Sequence, residues 1–516
     1  MAQSALLRSS TCLCRRLVRT AMYRRLSGQF MGVTGVNGQG IGGRALPYGP
    51  LIYLTNGRPL SSSSNNIVNV TVTPQHAHMD VAGHVQVEGL GAREAVTLWT
   101  TLMDEKGIQF SSHAHYQADV SGSVDVWRHR SQGGRYQGVF PQGLVSTLAP
   151  APPACQQDVK FKWARLYKRR VEEPFTYQVR VLRGHLTEKE LYSGSRPETL
   201  ASVHFTRDCM GPGVTRHEVE HGNICGTLFL PPGQGPHPLV LDMFGSQAGR
   251  TEYRASMLAS KGYASLWLPY FAFKHLPNNV TTLHMDYFLE ALDYLQNVPK
   301  GNRGRVGVVG SSKGAEIAIV LAGLSRDVKA VVGINSYNLS IDSNYVFRGK
   351  SYLKGFKLTK ESFYVNKGRD GIQYAWGKDD FFHWDHPLIL PIEKKAADCL
   401  VLLVAGDQDG SLAHRSAITL SERARRLDCG NVYTLILPGT GHIIDPPYHS
   451  THRTLWVTSN LVRDHVSSDY MSSTRHHYGG EAWWTARGAT DMWERAREVL
   501  HLKLVQEAGL PHDTAC

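Results

Sequence analysis

One stretch, residues 305 to 321, restricts the fold of this 516-residue chain more than any other. The apolar run Val306-Gly307-Val308-Val309 leads into Gly310-Ser311-Ser312-Lys313-Gly314, and the helical pattern Ala315-Glu316-Ile317-Ala318-Ile319-Val320-Leu321 follows. A strand must therefore turn abruptly into a helix. With glycine two residues before and two after the serine, such a turn forms without side-chain clash and lifts the hydroxyl to the edge of a sheet. In a chain with 50 glycines the five-residue pattern alone is a modest signal, and the strand before it and the helix after it give it weight. Ser312 is the candidate nucleophile.

A serine hydroxyl is a weak nucleophile that needs a base, and the base needs an acid to orient it. On a strand-turn-helix scaffold of this kind the three follow in the order serine, aspartate or glutamate, histidine. The apolar strand Leu435-Ile436-Leu437 runs into Pro438-Gly439-Thr440-Gly441-His442, which places His442 in a glycine-rich loop able to reach the nucleophile. Upstream, the strand 400–405 ends in Gly406-Asp407-Gln408-Asp409-Gly410, and spacing leaves Asp407 and Asp409 both open as the acid. An oxyanion needs two backbone donors. One is expected from the amide of Lys313, and the other from Phe244 or Gly245 in the loop Phe244-Gly245-Ser246-Gln247-Ala248-Gly249. Lys313 as a Ser-Lys base is disfavoured, because adjacent residues in a tight turn rarely point together.

Around these motifs the residues sort into three regions. Residues 1–65 form a basic leader and a Gly-, Ser- and Asn-rich linker. From 66 to 212, short alternating segments such as His84-Val85-Gln86-Val87 and Ala95-Val96-Thr97-Leu98-Trp99 recur between turns such as Asp104-Glu105-Lys106-Gly107, the pattern of an all-β sandwich. From 213 to 510, strands are expected at 227–230, 239–243, 264–268, 305–309, 328–332, 400–405 and 432–437, with helix candidates between them. Leu283, Tyr287, Phe288, Ala291, Leu292 and Leu295 fall on one helical stripe. Such alternation predicts a largely parallel sheet covered by helices, hence an α/β-hydrolase domain behind a β-sandwich. Residues 336–396 interrupt the alternation with aromatic and basic residues and read as an excursion near the active site.

The net charge of +12 suggests nucleic acid until its distribution is followed. Eight arginines (Arg8, Arg15, Arg16, Arg19, Arg24, Arg25, Arg44, Arg58) precede the first acidic residue, Asp80, leaving +4 for everything after it. No nucleic-acid partner is implied. An Arg-rich, Ser-rich, acid-free leader with Leu6, Leu13, Leu17 and Leu26 able to share one helix side has the marks of a mitochondrial presequence, and the matrix is the expected destination. The chain ends Asp513-Thr514-Ala515-Cys516, unlike a peroxisomal signal. No run of about 18 apolar residues is present, so an integral membrane protein is not expected. Eight scattered cysteines without a CxxC pair suit a reducing compartment and predict neither a disulfide framework nor a zinc site.

Two motifs are decoys. His217-Glu218-Val219-Glu220-His221 matches the HExxH zinc pattern, which works on a helix, but Gly211, Pro212 and Gly213 before it and Gly222 after it favour a strand. On a strand the two imidazoles stand roughly 13 Å apart, too far to share an ion. Gly38-Gln39-Gly40-Ile41-Gly42-Gly43 matches GxGxxG but lacks the preceding strand and the following acid that dinucleotide binding requires. No metal and no cofactor is expected.

From about Val81 to Leu504 the chain resembles the type I acyl-CoA thioesterases and the related bile acid-CoA:amino acid N-acyltransferases. The likeness lies in Val96-Thr97-Leu98 with Asp104-Glu105-Lys106-Gly107, Gly226-Thr227-Leu228-Phe229-Leu230-Pro231-Pro232, Asp242-Met243-Phe244-Gly245, Glu252-Tyr253-Arg254-Ala255-Ser256, Ser312-Lys313-Gly314, Pro438-Gly439-Thr440-Gly441-His442 and Pro446-Pro447-Tyr448. The resemblance implies an immunoglobulin-like sandwich before an α/β-hydrolase domain, with Ser312 as nucleophile, His442 as base and Asp409 as the acid. A serine at the elbow is similar to the hydrolytic branch, whereas a cysteine marks the amino-acid-conjugating branch. The expected substrate is an acyl-CoA and the expected products are a free fatty acid and coenzyme A. The rival readings are an N-acyltransferase using glycine or taurine, a hydrolase-fold binding protein without catalysis, and an ordinary carboxylesterase. Tyr270, Phe271 and Phe273 are candidate acyl-pocket residues, with core packing as the alternative.

Overall fold

Five strands between residues 224 and 406 are entirely or almost entirely buried, as expected where helices cover both faces of a parallel sheet. In the computed structural model, which describes residues 67–511 except 154–158, 194–196, 247–248, 359–361, 367–370, 375–378 and 457–474, they belong to one eight-stranded sheet. Its spatial order is Thr215–His221, Ile224–Leu230, Ala264–Trp267, His237–Met243, Gly301–Ser311, Val328–Ile334, Leu400–Gly406, Val432–Leu437. The first two strands form an antiparallel pair, the second runs antiparallel to the third, and every later pairing is parallel. All seven sequence-expected strands are present. The eighth, Thr215–His221, is the HExxH segment itself, in extended conformation against Ile224–Leu230.

The helical stripe needs one correction. The helix is Met285–Gln296 and buries Met285, Phe288, Ala291, Leu292 and Leu295, but Leu283 precedes it on the short strand Thr282–His284. That strand pairs in parallel with Asn344–Phe347, which forms a hairpin with Lys350–Leu353. The excursion therefore shares a small three-stranded sheet with Thr282–His284, and Leu283 joins the same core as Met285, Phe288 and Leu292 from that strand.

Ahead of the large sheet lie two sheets of antiparallel character. One has the order Asn69–Thr73, His84–Glu88, Val124–Asp125. The other runs His76–His78, Thr199–Asp208, Phe175–Arg183, Ala95–Met103, Gln109–Gln117, Gly133–Gly134, with Ala149–Pro150 also on Gln109–Gln117. The apolar alternation puts Val70, Val72, Val85 and Val87 of one sheet and Leu98, Phe110, Val179 and Phe205 of the other in the interior. The turn after Ala95–Met103 closes as its sequence requires. The Asp104 carboxylate accepts from the amides of Lys106 and Ile108 at 2.9 and 2.7 Å, and Gly107 takes φ +78°. Leader, linker and the GxGxxG motif lie outside the described residues. Among the described residues no helix is long and apolar enough to cross a membrane.

Candidate active site

The strand Gly301–Ser311 passes through Ser312 into the helix Lys313–Leu324, and Ser312 adopts φ 53°, ψ −118°. A non-glycine residue with positive φ is strained, and here the strain holds the hydroxyl out of line with both elements. The two flanking glycines are sterically required. A Cβ at Gly310 would lie 2.2 Å from the Gly314 carbonyl oxygen, and one at Gly314 would lie 2.6 Å from the carbonyl oxygen of Phe244. The Ser312 amide donates to Ile334 at 2.8 Å, fixing the turn to the neighbouring strand Val328–Ile334.

His442 and Asp409 stand at the carboxyl ends of Val432–Leu437 and Leu400–Gly406, on the same edge as Ser312. His442 Nδ1 lies 2.7 Å from Asp409 Oδ2, and both side chains are buried. The other oxygen of Asp409 accepts from the Ser411 amide at 2.7 Å and the Ser411 hydroxyl at 2.8 Å. Asp407, two residues earlier, is exposed and accepts instead from the Gly439 amide at 2.7 Å. The tie that spacing left open is therefore separated by geometry: one aspartate meets the imidazole and the other braces the loop carrying it.

Asn335, one residue beyond Val328–Ile334, joins the two loops. Its Nδ2 donates to the His442 carbonyl at 2.7 Å while its Oδ1 accepts from the Gly406 amide at 2.9 Å. From the far side, the Tyr478 carbonyl accepts from His442 N at 2.9 Å and from Gly410 N at 3.2 Å. The Tyr478 ring stacks on the imidazole at 5.3 Å and 17°. Gly479 permits this approach, since a Cβ there would be 1.9 Å from the Gln408 carbonyl oxygen. The Ser312 hydroxyl makes no hydrogen bond among the described residues.

Of the oxyanion candidates, Gly245 packs directly on the serine: a Cβ at this position would be 2.9 Å from Ser312 Cβ and 3.4 Å from its Oγ. The Phe244 carbonyl accepts from the Tyr270 hydroxyl at 2.7 Å. Lys313 Nζ is committed elsewhere, donating to Glu316 and to the Ile341 carbonyl, each at 2.6 Å. Burial lowers the Lys313 ammonium below its ordinary range and pushes Glu316 up to about 7. This pair fastens the elbow helix to the excursion, leaving the lysine no part as a base.

Sequence reasoning missed a second buried ion pair under the same loop. Arg254, on the helix Tyr253–Ala259, donates to Asp242 at 2.5 Å, to the Met243 carbonyl at 2.8 Å and to the Ser311 hydroxyl at 2.6 Å. Its guanidinium also lies over the Phe244 ring at 4.1 Å. One side chain thus spans the end of the strand His237–Met243 and Ser311, the residue before Ser312. The available signal was an arginine within the otherwise core-like segment Tyr253-Arg254-Ala255-Ser256-Met257-Leu258. Burial raises the Asp242 carboxyl above its ordinary value against the opposing effect of Arg254. Tyr270 packs on Phe288 and Phe273 on Trp267, so both have core partners.

Two family models match the chain: the acyl-CoA thioester hydrolase/BAAT N-terminal region over residues 80–221, and the BAAT/acyl-CoA thioester hydrolase C-terminal region over residues 283–506. Acyl-coenzyme A thioesterase 5 of Mus musculus is 34% identical over 438 residues, covering 83% of this chain and 95% of that protein. Acyl-coenzyme A thioesterase 3 of Mus musculus is 34% identical over 428 residues, 81% of this chain and 90% of that protein. The mitochondrial acyl-coenzyme A thioesterase 2 of Mus musculus is 31% identical over 457 residues, 87% and 92% of the two chains. With both regions matched in order and the likeness running nearly the full length of these relatives, the chain belongs to the acyl-CoA thioester hydrolase/BAAT family.

Proposed function

We propose that the protein hydrolyses acyl-CoA thioesters to a free fatty acid and coenzyme A through an acyl-enzyme on Ser312. The observation that carries the reading is the His442–Asp409 contact on the sheet edge that also bears Ser312 in a strained elbow. The names of the similar mouse thioesterases supply the substrate class. Ser312 Oγ attacks the thioester carbonyl carbon while its proton passes to His442 Nε2, the nitrogen opposite the one facing Asp409. The amides of Lys313 and Gly245 hold the developing oxyanion. Collapse expels the coenzyme A sulfur, which takes the proton from His442. Water, deprotonated by His442, then attacks the acyl-serine ester; the acid departs and Ser312 regains its proton. The 66–212 sandwich supports this 213–510 catalytic domain.

The test is turnover of an acyl-CoA panel with and without glycine or taurine, following coenzyme A thiol and acyl products by mass spectrometry. The expected result is free acid equal to thiol released, with no conjugate. Abundant N-acyl amino acid would overturn hydrolysis in favour of transfer.

We also infer a mitochondrial destination, supported by the acid-free leader with its eight arginines and by the mitochondrial thioesterase among the relatives. Residues 1–60 fused to a fluorescent passenger are expected to carry it into mitochondria. A passenger left in the cytosol would contradict the inference.

A further inference from the structure

A cavity of about 240 Å³ opens between the two sheets of the sandwich. Its walls are largely apolar, from Val72 and Val85 on one sheet, Val179 and Phe205 on the other, and Leu144 on the helical turn Gly143–Ser146. Trp127, 43% exposed, also lines it. Arg207, on the strand Thr199–Asp208, is a wall residue only 3% exposed. Its Nη1 donates to the Thr206 carbonyl at 2.7 Å and its guanidinium lies 5.0 Å from the Phe205 ring centroid, but Nη2 has no hydrogen-bond partner among the described residues. No carboxylate pairs with it among those residues. Guanidinium keeps its proton in any protein environment, so this is a permanent buried charge with no salt bridge among the described residues; the neighbouring Asp208 acts on it only through space, and proteins avoid such a charge unless something pairs it. Burial lowers the Arg207 pKa below its ordinary value, the mark of that unfavourable setting.

We propose that this cavity is a binding site for an aliphatic monocarboxylate, the carboxylate on Arg207 and the chain among Val72, Val85 and Val179. Size sets the chain length. At about 30 Å³ per water-sized group the space takes about eight non-hydrogen atoms, the size of hexanoate. A phosphate-bearing ligand is a poor match, since one buried guanidinium, with only neutral side chains such as Thr100 and Gln142 as further polar lining, offers too little positive charge for a dianion.

The site is separate from Ser312 yet touches the loop that carries His442. Tyr448, six residues beyond that histidine, is a wall residue with φ 64°. Ser146, beside the lining residue Val145, accepts from the Thr451 amide and hydroxyl, each at 2.8 Å. Asp445 in the same loop is held by Arg165 and by the Tyr253 hydroxyl at 2.6 Å. An occupant would therefore lie against the loop that carries His442.

The experiment is calorimetric titration of the full chain with hexanoate and with hexan-1-ol, on wild type, Arg207→Met and Val145→Trp. It is joined by photo-crosslinking with a diazirine analogue of hexanoate, mapped by peptide mass spectrometry. Wild type is expected to bind hexanoate at this site, with the alcohol weaker by about tenfold or more, as loss of a charge-assisted hydrogen bond requires. Arg207→Met should weaken hexanoate by a similar factor while Tm stays equal or rises, because the variant removes an unpaired buried charge. Val145→Trp, which leaves the arginine in place, should block binding by filling the cavity from its wall. Adducts should fall on peptides containing Trp127 or Leu144. Absence of hexanoate binding, adducts confined to the neighbourhood of Ser312, or affinity unchanged in Arg207→Met would each overturn the assignment.

Discussion

Ser312→Ala is expected to lower kcat for acyl-CoA hydrolysis by about 10⁵-fold or more, the scale seen when a serine nucleophile is removed from an intact constellation. The fold should not register the change. Ser312 holds nothing through its hydroxyl among the described residues, its amide bond to Ile334 is retained, and alanine suffers the same positive-φ strain that serine already bears. Tm should therefore match wild type, and labelling by a fluorophosphonate probe should disappear. His442→Ala should lose turnover on a similar scale, because no other imidazole hydrogen-bonds to Asp409 among the described residues. A Ser312→Ala enzyme keeping a tenth of wild-type kcat would show that another group attacks the thioester.

The large sheet was legible because its residues report their environment. Strands buried on both faces, such as Leu400–Gly406, are near-continuous apolar runs that can be read almost to the residue. The elbow was legible for a different reason: its two glycines are demanded by backbone contacts under 3 Å, so the motif is a steric necessity written in sequence. Leu283 fitted a helical period and yet lies on a strand, because its partner Tyr345 is 62 residues distant and periodicity cannot see pairing partners. The braces around the site were hidden by the same distance. Asn335 and Tyr478 act on His442 from far along the chain, and Arg254 reaches Ser311, 57 residues away; such contacts leave no spacing rule. No sequence rule singles out Arg207 on its strand; only its burial without a salt bridge sets it apart.

Asp407 and Asp409 show why a turn defeats spacing, and they carry the second large prediction. Asp409→Asn is expected to lower kcat by about 10⁴-fold, through the proton it misplaces more than the charge it removes. The Asp409 oxygen facing Ser411 receives two donors, the Ser411 amide and hydroxyl, so in the variant that position must be the amide oxygen. The amide nitrogen is then left pointing at His442 Nδ1, where the wild-type carboxylate accepts. Two donors cannot share the contact, so Nδ1 becomes an acceptor, the imidazole proton moves to Nε2, and the ring can no longer take the serine proton. Asp407→Asn has no such consequence. Its oxygen can still accept from the Gly439 amide, it faces solvent, and kcat should stay within about threefold of wild type. Measuring both variants under single-turnover conditions isolates acylation, the step in which His442 must first accept the proton; if the exposed aspartate proved the more damaging loss, Asp409 would not be the acid.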